Sequence, residues 1–297
     1  IGQVTLDGLA AMAKESGRHP EIANAPLCLV GMSAGGGMSV SIVAAIPERV
    51  IAAAPVCLEV GPKDEASIMV PILTVFGERD GKQMEKLAAK LPVARAAGAK
   101  WAIAVQWGRK HEFHKANNLI MPFFDRVIAS RYPTSLDPVS RPPKLLPYLD
   151  RGAWLAAKDD WGEAPAELRP WMNQSAAFSK KVHCWLPDSY TAHVWRAFVI
   201  KKPKLKIANP PGLGGGQKLI IHRAGEEPLT VEVTVPGALA LEKLEIHLGD
   251  QRATGGSGDS RFFELAGLEP GIHSIIAVGK AEGGDVFLSH PHTILVR

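Results

Sequence analysis

The segment Leu27-Cys28-Leu29-Val30-Gly31-Met32-Ser33-Ala34-Gly35 decides the predicted fold of the first half of this chain. An apolar run leads directly into Gly-x-Ser-x-Gly, and a stretch rich in small residues continues from Ala34 to Ile46. This pattern predicts a buried strand, a sharp turn at Ser33 and a helix. A serine at such a turn adopts a strained backbone, which lifts its hydroxyl out of the sheet beside the helix N-terminus. The segment therefore predicts that Ser33 is a nucleophile.

A candidate acid follows the apolar run Val70–Phe76, which predicts another buried strand and continues as Gly77-Glu78-Arg79-Asp80-Gly81. In an open parallel sheet, the carboxyl ends of the strands carry the ligand chemistry. Asp80 comes 80 − 33 = 47 positions after Ser33. Its carboxylate would hold the tautomer of a catalytic histidine and stabilise the imidazolium that forms. Glu78 is the competing carboxylate, and a turn-forming role for Asp80 is the other interpretation.

A candidate base follows the next apolar run, Trp101–Trp107, after which the chain continues through Gly108-Arg109-Lys110 to His111. A neutral imidazole near pH 7 accepts a serine proton and returns it to the leaving alcohol. His111 is favoured over its rival His114 because it comes first after the strand. The sequence contains no His-x-x-x-His pair and no Cys-x-x-Cys spacing, so it predicts no metal site and no cofactor.

Three regions differ in their sequence pattern. Residues 1–135 alternate apolar runs with helical patterns, which predicts βαβ units and a parallel sheet. Residues 136–210 are rich in Pro and then in Trp. We expect them to form a connecting segment that packs on its neighbours and ends in a helix at Ser189–Val199. The alternative is a substrate cleft lined by Trp154, Trp161, Trp171, Trp185 and Trp195. Residues 211–297 contain short apolar runs separated by Gly/Asp turns, which predicts a small β-sandwich.

The composition excludes several functional classes. The 297 residues carry a formal charge of only +4 with scattered basic residues, so the sequence predicts no nucleic-acid partner. No apolar run reaches the roughly 18 residues of a membrane span. Cys28 and Cys57 lie inside apolar runs, where we expect them to act as small buried hydrophobes.

The motifs around Ser33, Asp80 and His111, in this order, resemble those of α/β-hydrolase serine esterases, in particular the polyhydroxybutyrate-depolymerase and feruloyl- or acetylxylan-esterase branch. The resemblance covers about residues 1–135. It implies a triad of Ser33, Asp80 and His111, with the Ala34 backbone N–H as one oxyanion donor. It also implies hydrolysis of an ester of a polysaccharide, a polyester or a small aryl alcohol. Residues 262–273 resemble the strand-turn-strand of bacterial immunoglobulin-like modules, which implies a secreted or periplasmic protein.

The chain departs from this family before the nucleophile, where only about 26 residues precede the first strand. The family has several strands there, and a loop among them supplies the second oxyanion donor. The strand at Leu27–Val30 is therefore expected to lie at a hydrophobic sheet edge that a missing N-terminal segment or a second chain completes. The alternatives to an esterase are a serine peptidase and a non-catalytic scaffold with a degenerate hydrolase frame.

Overall fold

The computed structural model describes residues 1–59, 61, 65–133, 137–157, 164–173, 178, 183–210, 220–223, 225, 227–237, 239–249, 251–254 and 261–297. Its first part alternates helices and strands, as the apolar runs predict. The helices are α1 (Gly2–Ser16), α2 (Ala34–Ala45), α3 (Glu65–Ile68), α4 (Gln83–Ala96) and α5 (Asn117–Arg131). The strands are β1 (Leu27–Met32), β2 (Val50–Val56), β3 (Ile72–Gly77) and β4 (Trp101–Gln106).

These four strands form one parallel sheet in the order β1-β2-β3-β4. Every residue of β2, β3 and β4 is buried, because helices cover both faces of the sheet and each of these strands is continuously apolar. β1 lies at the sheet edge, as predicted, and none of its residues is fully buried. Val30 in its centre is 49% exposed.

The opposite edge of the sheet, at β4, is covered by the Trp-rich region. Three short strands, β5 (Trp154–Ala156), β6 (Leu168–Pro170) and β7 (Cys184–Leu186), form an antiparallel sheet, and the helix α6 (Ser189–Phe198) follows. The Trp195 indole N–H donates to the Ile103 carbonyl of β4 at 2.8 Å. Trp185 and Trp195 are fully buried, so both act in packing, whereas Trp161 lies outside the described residues.

The last part of the chain forms two mainly antiparallel sheets with a shared core. The strands are β8 (Lys206–Asn209), β9 (Ile220–His222), β10 (Leu229–Thr234), β11 (Lys243–Leu248), β12 (Gln251–Thr254), β13 (Phe262–Leu265), β14 (Gly271–Lys280), β15 (Val286–Leu288) and β16 (His292–Val296). One sheet has the order β13-β10-β8 and the other β12-β11-β14-β16-β9, with β15 paired to β14. The boundary predicted at residue 211 stays a prediction; β8, which precedes it, pairs with β10.

Strand β14 contributes to two hydrophobic cores. Ile275 and Ala277 belong to the core between the two C-terminal sheets. Ile276 and Val278 belong to the core of the parallel sheet and its helices. Successive side chains of a strand point to opposite faces, so one strand can join both cores.

The fold is thus a parallel four-stranded sheet with helices, followed by antiparallel β sheets. No helix in the described ranges is both long enough and apolar enough to cross a membrane.

Candidate functional site

Ser33 occupies a strained turn between β1 and α2. Its backbone has φ 56° and ψ −123°, and its N–H donates to the Val56 carbonyl at 2.9 Å. A Cβ at Gly31 would lie 2.2 Å from the Gly35 carbonyl oxygen, so only glycine fits the first motif position. At Gly35 a Cβ would have no neighbour within 4 Å, so contact with the strand or the helix does not require the second glycine. The observed turn matches the conformation that the motif predicts.

Asp80 and His111 are brought together where the loops after β3 and β4 cross. The crossing is close, since a Cβ at Gly77 would lie 2.1 Å from the Lys110 carbonyl oxygen. The Arg79 N–H donates to the Arg109 carbonyl at 2.7 Å and fixes the two loops to each other. Across this junction the His111 Nδ1 and Asp80 Oδ1 atoms lie 2.9 Å apart, within hydrogen-bond distance.

Glu78, the competing carboxylate, contacts other groups. It accepts the Gly108 N–H at 2.8 Å and lies 3.3 Å from the Lys201 ammonium. The hydrogen bond from Gly108 is the main cause that lowers the pKa of Glu78, and Lys201 adds to it. Glu78 therefore holds the loop after β4, while Asp80 is the carboxylate that pairs with His111.

His114, the competing imidazole, lies three residues before α5 with φ 40°. Burial is the main cause that lowers its pKa, and the charge of Arg109 adds to it. It lines a cavity that is described below, rather than joining Asp80.

The strand order gathers the three predicted residues at one edge of the sheet. Ser33 follows β1, Asp80 follows β3 and His111 follows β4, and parallel strands place all their carboxyl ends at the same edge. Within the described part of the chain, the Ser33 hydroxyl makes no hydrogen bond to His111. Catalytic hydrogen bonds are often long in ligand-free structures and tighten when substrate binds. Ala34 is the first residue of α2, so its N–H is one of the helix N-terminal groups without an intrahelical acceptor.

Cys57 directly follows β2 at the same edge, and the sequence does not predict it as part of the site. Its backbone has φ 54°, and its thiol lies 3.4 Å from the Glu112 carbonyl oxygen. Burial, followed by the charge of Asp80, raises the pKa of this thiol to about 11. The ligand atoms of Cys57, Asp80 and His111 all lie within 4.8 Å of one another, so these residues could hold a metal ion. The sequence signal that could have identified Cys57 as a site residue is its position directly after an apolar strand.

A cavity of about 140 Å³ lies beside the loop that carries His111. Its walls come from three distant segments and include Trp107, Arg109, His114, Lys115, Lys201 and His290. Burial is the main cause that lowers the pKa of Lys115, and the charges of Arg109 and Lys206 add to it. The cavity therefore combines aromatic surface with positive charge, which suits an anionic group.

Comparisons with known proteins give no family. No protein-family model matches the chain, and no curated protein matches it either. Among solved structures, fibronectin(III)-like modules of Clostridium thermocellum CbhA align with 20% identity and a TM-score of 0.27, covering 31% of this chain and 93% of theirs. Two structures of a β-glucuronidase from Parabacteroides merdae align with 10% identity and TM-scores of 0.22; they cover 92% and 89% of this chain, and 49% and 33% of the respective glucuronidase chains. Likenesses this small carry no functional argument.

Proposed function

We propose that this chain is a carboxylic-ester hydrolase of the α/β-hydrolase type with Ser33 as its nucleophile. The observation that carries the proposal is the 2.9 Å contact between His111 Nδ1 and Asp80 Oδ1, at the sheet edge that also presents the strained Ser33 turn. Nucleophile, base and orienting acid then follow in the chain order Ser-Asp-His. Strain in a non-glycine residue is typical of functional sites, which supports Ser33 further.

The proposed mechanism assigns one role to each residue. Asp80 accepts the Nδ1–H of His111, so Nε2 is the ring nitrogen that is left to accept a proton. The Ser33 oxygen attacks the ester carbonyl while its proton moves to Nε2, and the Ala34 N–H stabilises the oxyanion. His111 then protonates the leaving alcohol, and an acyl-enzyme remains on Ser33. Water, deprotonated by His111, attacks this ester and releases the acid.

We further propose that another strand pairs with β1 in the active protein and that a loop beside it supplies the second oxyanion donor. The half-exposed β1 is the support for this, since the other three strands of the sheet are buried throughout. An uncovered apolar edge strand is a site for strand addition. When a separately expressed segment or partner protein that pairs with β1 is added to this chain, ester turnover should rise. Turnover that stays unchanged although the partner binds β1 would contradict this proposal.

We propose that the cationic cavity binds a negatively charged group of the ester, since its Arg109 and Lys115 lie in the same loop after β4 as His111. The substrates proposed from the family resemblance are esters on polysaccharides, polyesters and small aryl esters. A charged and a neutral substrate can be compared directly with the nitrophenyl monoester of succinic acid and nitrophenyl acetate. We expect a higher kcat/KM for the charged ester and loss of this preference in Lys115→Gln.

An active-site serine phosphonate tests the function directly. We expect stoichiometric labelling at Ser33 and hydrolysis of nitrophenyl esters in preference to dipeptide anilides. The reverse preference would indicate a peptidase, and absence of both labelling and turnover even with the partner strand supplied would indicate a non-catalytic scaffold. The secreted or periplasmic location and the immunoglobulin-like nature of the C-terminal sheets stay predictions.

A further inference from the structure

We propose that Cys57, Asp80 and His111 form an inhibitory binding site for a thiophilic divalent cation such as Zn²⁺. The cation would occupy two of the proposed triad residues and stop turnover. Binding itself is independent of the proposed function, and only the inhibitory consequence rests on it.

The ligand set matches the chemistry of zinc. A thiolate, a carboxylate and an imidazole are the three side-chain types that zinc takes in proteins, and three protein ligands plus water complete a tetrahedral site. With bond lengths of about 2.0–2.3 Å, tetrahedral ligand atoms lie about 3.3–3.8 Å apart. The three ligand atoms here are already within 4.8 Å of one another. A shift of about 1 Å in the side chains therefore closes the site.

Two ligands are held in place before any cation binds. The Cys57 N–H donates to the Val75 carbonyl of β3 at 2.8 Å, which fixes the end of β2 with its positive φ. The Oδ2 atom of Asp80 is buried and accepts no N–H or O–H among the described residues, and the Cys57 thiol is a weak donor to this carboxylate. A buried carboxylate oxygen without a strong donor is costly, and a cation beside it removes that cost.

The third ligand provides access for the cation. The side chain of His111 is 45% exposed, whereas that of Asp80 is 11% exposed and Cys57 is fully buried. A cation therefore enters from the side of His111, which is also the side from which substrate would reach the imidazole. The sequence does not predict this site, because its ligands follow three different strands and have no metal-ligand spacing.

Binding requires the Cys57 thiol to lose its proton, so each bound cation releases one proton.

The experiment is a Co²⁺ titration of the full chain, followed by the thiolate-to-cobalt charge-transfer absorption and by displacement with Zn²⁺. We expect one equivalent of Co²⁺ to produce the band and Cys57→Ala to abolish it. The matched control is Cys184→Ala, which removes another fully buried thiol and should keep the band. A second variant, His111→Ala, changes an exposed position and should weaken Co²⁺ binding at least about tenfold. It keeps the test valid if Cys57→Ala does not fold.

The outcomes separate this site from the proposed function. A cobalt–thiolate band in a chain whose Ser33 is not labelled by the phosphonate and that hydrolyses no ester even with the partner strand supplied supports the site and contradicts the function. Esterase activity that Zn²⁺ does not inhibit, together with no cobalt–thiolate band, would overturn the site and leave the function standing. A band that survives in Cys57→Ala would also overturn the site, because another thiol would then bind the ion.

Discussion

The parallel sheet and the C-terminal sheets differ in where they place strained backbone. Around the parallel sheet, three residues other than glycine have positive φ: Ser33, Cys57 and His114. In the C-terminal sheets, every described residue with positive φ is a glycine, for example Gly249 in the turn between β11 and β12 and Gly284 between β14 and β15. Glycine adopts such conformations without steric cost, whereas other residues are strained there.

The difference supports the placement of the proposed site in the half that contains the parallel sheet. All strands of a parallel sheet end at the same edge, so their terminal residues converge, as Ser33, Asp80 and His111 do. Antiparallel strands end at alternate edges, and their connections are tight turns that need glycine rather than functional side chains. Two of the three strained residues, Ser33 and Cys57, therefore lie at the proposed reactive edge.

The largest expected effect is that of Ser33→Ala, which should lower ester turnover at least about a thousandfold. In the proposed mechanism this hydroxyl is the attacking group, so its removal should stop the chemistry. Ser41→Ala is the matched control, since its hydroxyl bonds the Gly37 carbonyl at 2.9 Å within the same helix. Equal activity of the two variants in a nitrophenyl acetate assay would remove Ser33 from the mechanism.

His111→Ala should be nearly as damaging, and His114→Ala should change kcat by less than about tenfold. Both histidines lie in the loop after β4, but only His111 contacts Asp80. Since residues of one catalytic unit are not additive, Ser33→Ala combined with His111→Ala should be no slower than Ser33→Ala alone. Steady-state kinetics in which His114→Ala is the inactive variant would contradict the assignment of His111 as the base.

A smaller effect is expected on stability, where β14 joins the two halves. Ile276→Ala should lower the free energy of unfolding by about 2–4 kcal/mol, because the side chain is buried against the core of the parallel sheet. Ile221→Ala, at a position that is 50% exposed in β9, is the control and should cost well under 1 kcal/mol. Equal costs in urea denaturation would show that β14 contributes little to the first core.

The smallest expected effect is a pH dependence of stability. Burial lowers the pKa of His290 to about 4 from its ordinary 6.5. Between these two values the unfolded chain binds a proton that the folded chain does not, so the free energy of unfolding falls as pH decreases from 6.5 to 4. The slope is on the order of 1 kcal/mol per pH unit.

His290→Asn keeps a donor for the Ala197 carbonyl and should flatten this part of the profile in thermal denaturation. His19→Asn, at an exposed histidine near the N-terminus, is the control and should change the slope much less than His290→Asn does. A slope that is the same in His290→Asn would assign the acid sensitivity to other groups.

Much of the parallel sheet could be predicted because its strands are continuous apolar runs. The predicted strands at Val70–Phe76 and Trp101–Trp107 match β3 and β4 within two residues at each end. The strands β5, β6 and β7 could not be predicted, because each has three residues, too few for a periodic pattern. The same holds for the three residues of β15, which follow the turn at Gly283–Gly284.

The site could be predicted only where its residues follow the strand order. Asp80 and His111 each come soon after an apolar run, so spacing alone brought them together as a hypothesis. The cavity could not be predicted, because Lys201 and His290 reach it from segments distant in the chain. The roles of Glu78 and Asp80 likewise depend on how two loops cross, which is a tertiary property.

The position of β14 between two cores has a consequence for how the molecule melts. A module joined to its neighbour by a linker unfolds in its own transition, at its own temperature. Here the loss of one core exposes apolar side chains of the strand that completes the other, so each melting event destabilises the remaining part. Calorimetry should therefore show one cooperative transition, and the amides of β14 should exchange with solvent only through global unfolding.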